Sequence, residues 1–165
     1  MNQMLVNSSA DTPTGRLLAL DLGVKRVGVA VSDELRITVR PLELIARTSW
    51  KQLLCDVAQR IAQFDACALV IGLPLHLNGT ESEAACEARR IAHNFSRSLS
   101  IPVYLQDERL TSLEAVGNLR DLGFDKEARR ERIDGEAAAI ILRDFIAASG
   151  RASITIVADA GIVDS

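Results

Sequence analysis

Aromatic residues are scarce in this chain: one Trp, one Tyr and four Phe among 165 residues, or 4%. With Trp50 and Tyr104 alone in their classes, no aromatic platform for stacking unpaired bases is expected. Cysteine is scarce too. Cys55, Cys67 and Cys86 are an odd number without a CxxC pair, which suits a reducing cytosol better than a disulfide framework. Histidine is limited to His76 and His93, and the ligand spacing of common zinc sites is missing. No apolar run approaches the roughly 18 residues of a membrane span, so no membrane association is expected. The opening MNQMLVNSSADTPTG has neither a positive n-region nor an apolar h-region, which argues against a secretory signal and for a cytoplasmic location. An excess of basic charge is also missing: 19 Lys and Arg against 22 Asp and Glu leave a formal charge of -3. That excludes a broadly basic nucleic-acid coat. It leaves room for a local basic patch, or for a metal ion that supplies positive charge.

What is present is a core-forming composition, 48% hydrophobic and 25% charged. The length suggests one domain. Residues 1–15 are polar and aperiodic and read as a mobile tail, residues 16–149 as the domain, and residues 150–165 as a C-terminal tail. LLALDL, closed by Asp21 and Gly23, suits a strand buried on both faces. RVGVAVSD follows after a tight turn, and a weaker third strand is expected near Ile37–Val39, with Pro41 at its end. Strands so closely spaced form an antiparallel meander, because parallel crossovers need a dozen or more residues.

Helices and strands then alternate. Leu53, Leu54, Val57, Ala58, Ile61 and Phe64 recur at helical spacing behind a Ser49–Gln52 capping box. ALVIGLP is the next buried strand. Thr80 and Glu83 predict a second capping box, for a helix burying Ala84, Ala88, Ile91, Ala92, Phe95 and Leu99. VYLQDE is a further strand. Thr111 and Glu114 open a helix carrying Leu113, Val116 and Leu119, and a last helix is expected from about Asp134 to Ala147. The order β-β-β-α-β-α-β-α-α predicts an α/β fold with a mixed five-stranded sheet and helices on both faces. SITIVA, after Gly150, reads equally as a strand or as disordered chain.

Three acidic positions have apolar surroundings. Asp21 ends one buried strand, Asp107 and Glu108 end another, and Asp134 leads the stripe 134, 138, 141, 145 of the last helix. Ligands of α/β sheets bind outside the carboxyl ends of strands, where these acids converge. Carboxylates crowded in a low-dielectric cleft repel one another, and a divalent cation relieves that; oxygen ligands suit Mg²⁺ or Mn²⁺. Each acid has a plainer reading: Asp21 as a turn residue, Asp134 as an N-cap, Glu108 paired with Arg109 at the surface. Asp107 and Glu108 cannot both face one metal if the strand runs through them, since successive side chains alternate faces, and strand phase leaves that choice open.

LALDLGVKRVGVAVSD, LVIGLPLHLNGTESE, DERLTSLEA and the run from Asp134 to Leu142 occur in this order over residues 16–147. In these four motifs the chain closely resembles the YqgF family, also called RuvX, the Holliday-junction-resolvase-like nucleases of precursor 16S rRNA in bacteria. The resemblance implies an RNase H-like fold, with three antiparallel strands followed by alternating helices and strands. It implies a metal-dependent endonuclease acting on structured nucleic acid, namely the 5′ end of precursor 16S rRNA within the pre-ribosomal particle, or branched DNA. The matching acids are Asp21, Glu108 with Asp107 beside it, and Asp134. The resemblance favours Glu108 as the ligand and Asp107 as its support. Leu22 stands where the family often has Phe, and Val24 where it often has Thr.

Basic residues lie beside these acids. Lys25 and Arg26, in the turn after Asp21, are within reach of a phosphate at that edge, or simply form a solvated hairpin tip. Lys126, Arg129, Arg130 and Arg132 alternate with Asp125, Glu127, Glu131 and Asp134 at zero net charge. They read as a salt-bridged turn or, functionally, as a phosphate grip by Arg129, Arg130 and Arg132. GLPLHLNGT reads as a substrate-positioning loop in which His76 is an exposed residue rather than a base. Arg89, Arg90 and Arg97 solvate their helix. The Asp-Leu-Gly turn also resembles the phosphate loop of sugar kinases and actin-like ATPases, which need two such domains. A non-catalytic module binding nascent rRNA or transcription machinery would not need the carboxylates. Oligomeric state is not legible.

Overall fold

The computed structural model describes residues 13–76, 78, 80–108, 126–148 and 155–156, with side chains except at 126–134 and 155–156. The expected helix at Thr111–Leu119 and the first residues of the N-terminal tail lie outside the described residues.

The five expected strands are all present: β1 (Leu17–Leu22), β2 (Arg26–Ser32), β3 (Val39–Pro41), β5 (Ala68–Leu73) and β6 (Val103–Asp107). Two-residue strands β4 (Ile45–Ala46) and β7 (Thr155–Ile156) enlarge the five-stranded sheet to seven. The order is β3-β2-β1-β5-β6-β7, with β4 also on β2. Strands β1, β5 and β6 are parallel, while β2, β3, β4 and β7 run antiparallel to their neighbours. The third strand lies two residues later than expected, at Val39–Pro41, and Ile37 is exposed ahead of it. Pro41 is tolerated because this short strand is an edge, where a missing N–H breaks no inner ladder. The SITIVA segment supplies β7, whose Thr155 and Ile156 pair with Leu105 and Tyr104.

Helices α1 (Trp50–Phe64) and α2 (Glu83–Ser98) cover one face of the sheet, and α3 (Lys126–Ala148) covers the other. Ser49 caps α1 as expected, accepting from the Gln52 backbone N–H at 3.1 Å. The cap of α2 is Ser82 rather than Thr80, and it accepts from Ala85 N–H at 3.1 Å. Thr80 is drawn away by Asn78, whose side-chain oxygen takes both its N–H and its hydroxyl. The buried face of α2 accordingly begins at Ala85, and Ala84 is exposed. Helix α3 starts at Lys126, well before Asp134, so Asp134 is an interior helical residue and not an N-cap.

Side-chain alternation divides the strands cleanly. Leu18 and Leu20 of β1, Leu69, Ile71 and Leu73 of β5, and Val103 and Leu105 of β6 join the core beneath α1 and α2. Leu17 and Ala19, Ala68 and Val70, and Tyr104 join the core beneath α3, with Ala138, Ile141, Leu142 and Phe145.

Candidate active site

Continuing that alternation to the carboxyl ends of the strands gives the site its composition. Asp21 follows Leu17 and Ala19 onto the α3 face, and Glu108 follows Tyr104 onto the same face. Asp107, in phase with Val103 and Leu105, belongs to the opposite face. Strand phase therefore separates the adjacent acids, and it groups Glu108 with Asp21. Glu108 sits one residue past β6, yet its N–H still donates to Leu73 O at 3.1 Å, so the ladder and its phase extend to it.

The turn after Asp21 is tightly held. Gly23 N–H donates to Arg26 O at 3.0 Å, and a β-carbon on Gly23 would overlap that same oxygen. Arg47, which the sequence reading passed over, braces the turn from outside. Its backbone N–H donates to Lys25 O at 2.9 Å and its guanidinium to Gly23 O at 2.8 Å, while the same side chain pairs with Glu87 of α2. Nothing in the local motif signals this contact, because it depends on β4 returning alongside β2.

The side chains of Asp21 and Glu108 are hydrogen bonded to one another. Burial raises the Glu108 carboxyl to about 8, and the negative charges of Asp21 and Asp107 and the bond to Asp21 add to the rise. Glu108 thus holds its proton to higher pH than an ordinary carboxyl group, within hydrogen-bonding contact of Asp21. Two acids in contact in a half-buried, oxygen-only setting fit a hard divalent cation, which favours the charged form that burial opposes. Among the described residues no group of three metal-ligating side chains is assembled.

The contact lies over Gly72 of β5. A β-carbon there would overlap Glu108 Oε2 and stand 2.6 Å from Ile141 Cδ1 of α3. The sequence did carry a signal for this position: an isolated glycine within an apolar strand marks a close approach.

The remaining expected residues distribute as follows. Lys25 is exposed at the tip of the Asp21 turn, and Arg26 opens β2 half-buried. Arg129, Arg130, Arg132 and Asp134 belong to the helical backbone of α3, and their side chains lie outside the described residues. His76 is exposed. Arg89 pairs with Glu81, Arg90 with Glu87, and Arg97 is exposed. Tyr104 is buried against Phe145, with ring centroids 5.2 Å apart. No helix among the described residues is long and apolar enough to cross a membrane.

Comparisons with known proteins show the family and the fold of the chain. A family model described as "RuvX: Holliday junction resolvase" matches residues 15–148. A protein of Rickettsia bellii (strain OSU 85-389) named "Putative pre-16S rRNA nuclease" is 35% identical over 134 residues, covering 81% of this chain and 87% of its own. A protein of the same name from Anaeromyxobacter sp. (strain Fw109-5) is 38% identical over 131 residues, covering 79% and 96%. In fold, the chain resembles the structure "T. thermophilus RuvC in complex with Holliday junction substrate". That likeness has a TM-score of 0.54 at 17% identity and covers 85% of this chain and 99% of the other.

Proposed function

The chain belongs to the RuvX, or Holliday junction resolvase, family, and from that premise we propose that its nuclease chemistry is carried by Asp21 and Glu108, joined by Asp134, and is directed at the 5′ end of precursor 16S rRNA. The observation that carries the reading is the contact of two carboxyl groups from two different strand ends, on the face covered by α3. A structural role explains it poorly. A hydrogen-bonded pair of half-buried acids is an expensive way to close a turn beside an apolar core.

Asp21 and Glu108 would hold Mg²⁺ or Mn²⁺, and Asp134 is the third carboxylate that the sequence offers. A divalent ion in such a setting activates water and stabilises the leaving oxygen of a phosphodiester. The protein's own part is to prepare the ligands. The brace from Arg47 fixes the Asp21 turn, and the extended ladder fixes Glu108. The raised Glu108 carboxyl must give up its proton before both acids can serve as ligands. Lys25 and Arg26 at the same strand-end edge, with Arg129, Arg130 and Arg132 of α3, would contact phosphate and position the strand without reading its sequence. Precursor 16S rRNA is the substrate favoured by the relatives' names, and we place it within a cytoplasmic pre-ribosomal particle. The family description favours a DNA four-way junction as the second substrate.

The test is incubation of the purified protein with a precursor 16S rRNA 5′ fragment and with a DNA junction, in Mg²⁺, Mn²⁺ or EDTA. Cleavage of the RNA with either metal, abolished by EDTA and by Asp21→Asn, is the expected result. Cleavage of the junction alone would assign DNA instead. Cleavage of neither substrate with any metal would overturn the catalytic reading and favour a binding module.

A further inference from the structure

Asp21 and Glu108 come from β1 and β6, which are not neighbours: β5 runs between them. Adjacent strands lie roughly 4.8 Å apart, so the backbones that carry the two acids are separated by about 10 Å. An ordinary β5 side chain on the α3 face would stand in that interval. In the register, Leu20 pairs with Ile71, which brings Asp21 level with Gly72, and Gly72 in turn pairs with Gln106. The residue between the two acids is thus the only one in β5 without a side chain.

Backbone conformation does not explain that glycine. Gly72 lies in ordinary strand geometry; among the described glycines only Gly15 has a positive φ. In a strand interior glycine is destabilising relative to alanine, so by local preference the position is a poor choice. Space explains it. Glu108 Oε2 occupies the volume of the missing β-carbon, Glu108 Cδ is 3.1 Å from it, and Ile141 Cδ1 closes it from α3 at 2.6 Å. Gly72 is itself buried, so a methyl group there would meet the carboxyl group and Ile141 rather than solvent.

We propose that Gly72 is a positioning residue: its missing β-carbon is the passage through which Glu108 crosses β5 to reach Asp21, and it sets the separation of the two carboxyl groups. The inference rests on the reading of these acids as the metal-holding pair, and extends it to a residue that holds no metal and touches no substrate.

The test compares wild type, Gly72→Ala, Glu108→Ala and the double variant by calorimetric titration of metal-free protein with Mn²⁺, alongside cleavage. Gly72→Ala should weaken Mn²⁺ binding by roughly tenfold or more, the scale of lost support at metal sites. It should lower kcat while leaving KM for nucleic acid unchanged. In the Glu108→Ala background, adding Gly72→Ala should change Mn²⁺ binding no further, because the group it displaces is gone. Unchanged Mn²⁺ affinity in Gly72→Ala would overturn the inference. If wild type binds no Mn²⁺, the metal reading fails, and the crystal structure of Gly72→Ala decides the positioning role separately. Loss of the Asp21–Glu108 contact would support it, and a preserved contact would overturn it. If Gly72→Ala does not fold, rescue by Glu108→Ala supports the passage, whereas rescue by Ile141→Val alone shows a gap for packing and overturns it.

Discussion

The two faces of the central strands are built differently. Beneath α1 and α2 the strands present Leu18, Leu20, Leu69, Ile71 and Leu73, large aliphatic groups packed to the end of the sheet. Beneath α3 the same strands present Leu17, Ala19, Ala68, Val70 and Gly72, and α3 answers with Ala138 and Ala139. On this face the last residue of β5 is a glycine, with Ile141 of α3 against it. There the acids meet. Both faces bury apolar area, but only the α3 face leaves out a side chain at the carboxyl end of β5 and holds a raised carboxyl group there. The difference teaches that alternation along the same strands can place a core on each face and still reserve one face's carboxyl end for the proposed chemistry.

The largest expected effect breaks the chemical face alone. Asp21→Asn should reduce cleavage by more than the roughly 100-fold that loss of a supporting residue costs at metal sites. Its melting temperature in metal-free buffer should be little changed, since the amide oxygen of Asn can still accept the hydrogen bond from the Glu108 carboxyl. Asp134→Asn should likewise lose activity at constant stability. Because Asp134 lies within α3 and caps nothing, a stability loss there would point to packing instead. Retained cleavage in either variant removes that acid from the mechanism.

On the opposite face the balance reverses. Leu20→Ala or Ile71→Ala leaves a cavity in a fully buried position and should cost about 2–5 kcal/mol by denaturant unfolding. Cleavage per folded molecule should persist. A specific-activity loss as large as that of Asp21→Asn would mean that the two faces are not independent.

A smaller effect sharpens the comparison through pH. The Glu108 carboxyl is raised in the folded protein to about 8, so the folded state holds a proton that the unfolded chain releases near 4.5. The stabilisation from this proton is fully present below about pH 4.5 and is lost as the pH rises through about 8. Over that window the melting temperature of metal-free protein should fall by several degrees relative to Glu108→Gln, which has no proton to lose. Mn²⁺ affinity should rise over the same range, with proton release on binding. Parallel pH profiles for wild type and Glu108→Gln would contradict the buried pair.

Much of this was legible in the residues. LLALDL, RVGVAVS, ALVIGL and VYLQD are apolar runs bounded by turn signals, and each is a strand. Asp21 stands out because it closes one of them. The choice between Asp107 and Glu108 was not legible. It depends on which core Tyr104 joins, and that is decided by packing against Phe145, about forty residues along the chain. The start of α3 was also hidden. Its apolar stripe begins near Asp134, but the helix extends back over a charge-balanced segment with no hydrophobic period to reveal it. Thr80 and Ser82 both suited a cap, and the competing side chain of Asn78 decided between them. Gly72 read as the start of a loop, and its meaning required two strands that are distant in sequence to lie on either side of it.

The central claim is that the face on which an acid lies, and not its place at a strand end, makes it functional. Glu108→Gln and Asp107→Asn test this most directly, because the two acids are adjacent in sequence and opposite in phase. The measurement is the initial rate of precursor rRNA cleavage by each variant at saturating Mg²⁺. The account predicts a loss of more than about 100-fold for Glu108→Gln and less than about tenfold for Asp107→Asn. Equal losses, or the reverse ranking, would contradict it.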